Sequence, residues 1–209
     1  MGRKRFETRR KILDVSKAYF TDYGYRDTLI SDIAKHCRLD RRTIYRYFPS
    51  KESLLIHITA ELFDDFTSKA MEMDYQGLEK PTDKLKKTFD FYFDYIQKNP
   101  QMIQFLGMVD VYVGNNMYDK DEFTALDQHG KRLDVILERI INEGQIKGCM
   151  NKNHTSHDYA VTINNSLIAM STRTAIYLPN TILQQQGYAW KLLRIQGELL
   201  LDSLTISND

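Results

Sequence analysis

Three arginines, a threonine and two tyrosines crowd into one eight-residue stretch, DRRTIYRY. A guanidinium can donate two parallel hydrogen bonds to guanine O6 and N7. Hydroxyls and phenols can bond phosphate oxygens or base edges. Arg41, Arg42, Thr43, Tyr45, Arg46 and Tyr47 are therefore all competent to meet DNA. Ile44 and Phe48 recur at helical spacing between them, so the stretch reads as a short helix with one apolar face and a basic, aromatic remainder. Its start is specified twice. Asp40 is placed to take a free backbone N–H as N-cap, and Leu39 and Ile44 hold the positions of a hydrophobic staple. Pro49 closes it. Ser50 can cap the next helix, SKESLLIHITAELFDDF, whose stripe is Leu54, Leu55, Ile58, Leu62 and Phe66.

Two earlier elements must hold that helix in place. Ile12, Val15, Tyr19 and Tyr23 predict a first helix, widened by Leu13, Ala18 and Phe20 and ended at Gly24, where glycine accepts the left-handed conformation. A second, short helix has Ile30, Ile33 and Ala34 on its buried face, with Thr28 before it. Arg3, Lys4 and Arg5 read as a flexible basic arm. The charge is lopsided. Residues 1–57 carry 14 Lys/Arg against 7 Asp/Glu, and the remainder 15 against 21, so a net +1 chain has a +7 head and a −6 body. A basic head on an acidic body points to a polyanion as partner.

The run RKILDVSKAYFTDYGYRDTLISDIAKHCRLDRRTIYRYFPSKESLL resembles the DNA-binding domain of the TetR family, motif after motif in order: Gly24-Tyr25, Thr28, Asp32-Ile33-Ala34, Thr43-Ile44-Tyr45, Tyr47-Phe48 and Ser50-Lys51-Glu52. It covers about the first 60 residues. It implies an all-α protein with a three-helix, helix-turn-helix head (1–60) and a helical ligand-binding and dimerisation body (61–209). It implies that the 41–48 helix enters the major groove with Arg41 and Arg42 in its first turn. Thr43 and Tyr45 would face bases or phosphates, while Tyr47, Lys51 and Thr28 would touch the DNA backbone. Arg46 belongs to the same surface, and Arg5 to the arm. The chain departs from the family's common Gly at Arg38 and Arg42 and its common Ser at Asp40; the first puts a Cβ into a tight turn, and the second adds a cation.

The body shows helical texture over 82–98, 101–113, 121–145, 157–178 and 188–206. By resemblance the last two pair with a second copy. Phe89, Tyr92, Phe93, Phe105, Met108, Tyr112 and Met117 crowd rings and sulfur into neighbouring segments, the composition of an adaptable apolar cavity. Each alone is more simply a core residue. Asp110, the one charged residue between Met102 and Val113, could balance a cationic lipophile there. Together these predict a dimeric, ligand-released repressor on near-palindromic DNA. The alternative is a DNA-binding regulator controlled by a protein partner or constitutive. An enzyme is disfavoured: no Gly-rich phosphate loop, nucleophile elbow or CxxC pair occurs. No cofactor is expected. His154, His157 and Asp158 are a weak metal candidate in a polar stretch, and no metal is expected. Two cysteines fit a reducing, cytoplasmic setting, and no apolar run nears the roughly 20 residues of a membrane span.

Overall fold

A computed structural model describes residues 2–113, 120–177 and 187–206. Every described element is helical apart from an isolated antiparallel bridge between Met150 and Thr205. Among the described residues no helix is long and apolar enough to cross a membrane.

Helix α1 (Gly2–Asp27) buries Ile12, Leu13, Ser16 and Phe20, a row one step round from the expected one; Tyr23 is exposed. A serine fits that core row because its hydroxyl donates to the Ile12 carbonyl at 2.7 Å, leaving no unsatisfied donor in the interior. The backbone breaks helical geometry at Gly24 (φ 77°, ψ 165°), the predicted position. The arm is not extended: Arg3, Lys4 and Arg5 are the first turns of α1, and Arg3 pairs with Glu7 one turn on.

Helix α2 (Ile30–Cys37) ends in a left-handed residue, Arg38 (φ 57°, ψ 45°). The Leu39 N–H donates to Ala34 O (2.9 Å) and the Arg38 N–H to Lys35 O (3.0 Å). This double bond pattern closes a helix C-terminus tightly, and it delivers the chain to α3 (Arg41–Tyr47). There the Asp40 side chain accepts from the Thr43 N–H at 2.6 Å, as N-cap chemistry requires. Phe48 is extended (φ −137°, ψ 109°), the conformation a following proline imposes. Ser50 then caps α4 (Lys51–Met71), accepting from the Ser53 N–H at 3.0 Å.

Further along lie α5 (Pro81–Lys98), α6 (Pro100–Tyr112), α7 (Lys120–Ile146), α8 (Ser156–Thr172), running into a π-helical turn (Arg173–Tyr177), and α9 (Tyr188–Leu204). Pro81 starts α5, where its missing N–H costs nothing. Helix α7 does not stop at Gly144, which is packed against Met150; Gly148 (φ 72°) follows its end. Two compact units emerge. One is Met1–Leu62 with Phe105–Leu126; the other is Phe63–Gln104 with Asp127–Asp209. The sequence predicts a head of 1–60 and a body of 61–209.

Candidate nucleic-acid interface and ligand cavity

In the first unit, a groove is lined by Lys4, Arg5 and Thr8 of α1, with Leu39 and with Thr43, Arg46 and Tyr47 of α3. Helix periodicity explains the set. Residues 4, 5 and 8 share one face of α1, and 43, 46 and 47 one face of α3. Arg41 and Arg42 are exposed in α3's first turn and form no ion pair among the described residues; Tyr45 is 40% exposed beyond them. Arg46 lies over the Tyr47 ring, its Cζ 5.8 Å from the centroid. The structure thus gathers Arg5, Thr43, Arg46 and Tyr47 and leaves Arg41, Arg42 and Tyr45 projecting beside them.

Lys51 begins α4 with its Nζ 4.4 Å from the Tyr25 ring centroid and 3.3 Å from Arg26 O. Burial lowers its pKa, against the raising effect of Glu52 and Asp27. Tyr25 donates to Glu52 at 2.7 Å and stacks on Tyr112. Burial, and then that bond, push its phenol far above the ordinary value. Thr28, expected at the DNA backbone, is 2% exposed, and its hydroxyl lies 2.7 Å from Gly24 O and 3.1 Å from Tyr19 O. Its single proton closes the bend at Gly24.

The rings of the body are divided between the two units. Phe105 is buried against Phe20, and Tyr112 stacks on Tyr25, both within the first unit. Met108, half-buried, falls in that unit as well. Phe89 and Phe93 are core residues under α9, where Gly197 lets the helix approach the Phe93 ring. Asp110 is exposed on α6, although partial burial raises its carboxyl above the ordinary value. Met117 lies outside the described residues. Tyr92 lines a small cavity with Phe63, Phe66, Thr67, Met102, Ile103, Gly130, Leu133, Asn164 and Ile168. The space there has room for about one water molecule.

Asn164 was missed by the sequence reading, although its position marked it: it is a polar residue on the buried row Ala160, Ile163, Leu167 of α8. The metal candidate dissolves into structure. Asp158 forms a capping box with Thr155, and His157 pairs with Glu138 at 3.0 Å. Among the described residues no group of three His, Cys, Asp or Glu is gathered as metal ligands.

Residues 12–58 match the family model for bacterial regulatory proteins of the tetR family. The chain is similar to the HTH-type transcriptional repressor NicS of Pseudomonas putida, 28% identical over 141 residues, covering 68% of this chain and 65% of that one. It is 26% identical over 145 residues to the repressor KstR of Mycolicibacterium smegmatis, covering 66% and 65%. The matches thus span just under two thirds of these relatives. Among solved structures, Thermus thermophilus FadR in complex with lauroyl-CoA shares the fold with a TM-score of 0.67 at 17% identity, covering 96% of this chain and 97% of that one.

Proposed function

We propose that the protein is an operator-binding transcriptional repressor whose body takes up a small, mostly apolar effector. One observation carries the DNA half: α3 presents Arg41, Arg42 and Tyr45 to solvent beside the groove that holds Arg5, Thr43, Arg46 and Tyr47. That is the arrangement a recognition helix needs, with guanidinium groups at its N-terminal turn for base edges and cations flanking them for phosphates. The related repressors support this reading. Two copies would pair through 157–178 and 188–206 and place their recognition helices in successive major grooves, roughly 34–36 Å apart. Leu199 (64% exposed) and Ile195 lie one turn apart on α9 and offer the apolar surface for that pairing. It acts in the cytoplasm.

The effector half rests on the cavity at Tyr92 and on the acyl-CoA complex of a protein with the same fold. A ligand releases DNA only to the extent that it prefers the released conformation. The narrowness of the cavity favours a second reading, in which the regulator binds DNA without a small ligand. Selection of duplexes from a random pool tests the DNA half. Arg41→Ala and Tyr45→Ala should each relax discrimination by about 1–3 kcal/mol at their positions. Lys51→Ala should weaken all sequences alike and flatten the salt slope by about one unit per site lost. Wild-type binding by both α3 variants would refute the assignment.

A further inference from the structure

The polar atoms in the Tyr92 cavity share a property that follows from counting protons. Ser171 Oγ donates to Leu167 O at 2.6 Å, so its one proton is used. The bond between Tyr92 Oη and Ser171 Oγ (3.0 Å) must therefore run from the phenol to the serine, which leaves Tyr92 with lone pairs only. Thr67 Oγ1 donates to Phe63 O at 2.9 Å and is likewise left an acceptor. Asn164 donates through Nδ2 to Asp134 Oδ1 at 2.7 Å. A carboxylate cannot donate, so the amide cannot be turned the other way. Asn164 is 6% exposed, and its Oδ1 has no partner. All three polar side chains of the lining thus offer acceptors, in a wall whose other side chains are all apolar.

We infer that the cavity selects a compact apolar molecule carrying an N–H or O–H donor, held by Asn164 Oδ1, and rejects carboxylates and other acceptor-only ligands. This rests on the proposed effector reading of the same site. A buried acceptor without a donor loses its hydration and gains nothing. A ligand donor restores that bond, whereas a ligand oxygen adds a second unpaired lone pair against the first. The Asp134 carboxylate behind Asn164 polarises the amide in the same sense and opposes any anion. Met102, unbranched and rotatable, is the wall that can yield to admit a ring.

Three molecules of one shape test this: indole, indene and benzofuran, which present a donor, neither, and an acceptor. Binding to the full chain is measured by calorimetry and by shift of the unfolding midpoint. Indole should bind at least about tenfold tighter than benzofuran, a difference of about 1.4 kcal/mol, with indene between. Asn164→Leu, with DNA binding as the check on folding, should bring that ratio to within about twofold. Should Asn164→Leu not fold, the Asn164 side-chain amide resonance of the wild type serves instead: indole should move it and indene should not. Equal binding of indole and benzofuran, or a ratio that survives in Asn164→Leu, overturns the donor rule and leaves the cavity standing as an effector site. Failure of all three to bind up to their solubility overturns the effector reading itself, as expected if the space holds only a water.

Discussion

Replacing Arg38 by glycine should make the protein more stable, although it deletes a whole charged side chain. Arg38 is the one non-glycine residue with positive φ among the described residues. At φ 57° and ψ 45° its Cβ crowds the following carbonyl, a conformation that costs about 1–2 kcal/mol in an L-residue. Glycine avoids that cost but loses about 0.4–1 kcal/mol more to the conformational freedom of the unfolded chain. The difference is a gain of about 0.5–1 kcal/mol. For a chain of this length each kcal/mol moves the midpoint by about 2–4 °C, so Arg38→Gly should melt about 1–4 °C higher. Arg38 is exposed and forms no ion pair among the described residues, so little is lost with the guanidinium. Arg38→Ala is the decisive control. It removes the same charge and keeps the Cβ, so it should stay within a few tenths of a kcal/mol of wild type. Thermal and urea melts of the three proteins settle it. If Arg38→Gly melts at or below Arg38→Ala, the strain at this turn is not what limits stability and the reasoning fails.

Other expectations follow from the same geometry. Thr28→Val should cost about 1 kcal/mol by leaving the Gly24 carbonyl without its hydroxyl partner; operator affinity measured well below the melting point should be unchanged, and a uniform loss of affinity would restore Thr28 to the interface. Leu199→Glu and Ile195→Glu should give well-folded monomers by sedimentation that bind operator weakly, whereas a charge at the fully buried Leu193 should unfold the chain; a dimer that persists in both surface variants would move the interface elsewhere. Gly197→Ala places a Cβ 2.5 Å from Phe93 Cζ and should destabilise by about 1–2 kcal/mol despite alanine's higher helix propensity. Phe93→Leu in the same chain should recover part of that loss; strictly additive melts would show that the ring is not the obstacle.

The head was legible because its decisive features are local. Gly24, Asp40, Pro49 and Ser50 each act on backbone within three or four residues, and each acts where the sequence placed it. The burial of Thr28 was not legible, because its neighbours in sequence do not reveal that α1 overshoots the glycine and leaves carbonyls for it to bond. In the body, ring density identified core but could not say which core. Met102 and Ile103 line the cavity, while Phe105, two residues on, packs on Phe20 in the other unit. A helix turns through about 100° per residue, so residues two apart point to nearly opposite sides, and composition carries no record of that. Asn164 is legible in the sequence as a polar break in an apolar row.

The continuity of α1 through Arg3, Lys4 and Arg5 has a thermodynamic consequence. An unstructured basic arm must be frozen against DNA each time it binds, at about 1–2 kcal/mol per residue ordered. Here those residues are already helical, and Lys4 and Arg5 already line the groove with Arg46. The ordering is completed once, during folding. Association of this surface with a duplex should then lack the large unfavourable entropy of coupled folding, and its enthalpy should vary with temperature only as the buried contact area requires.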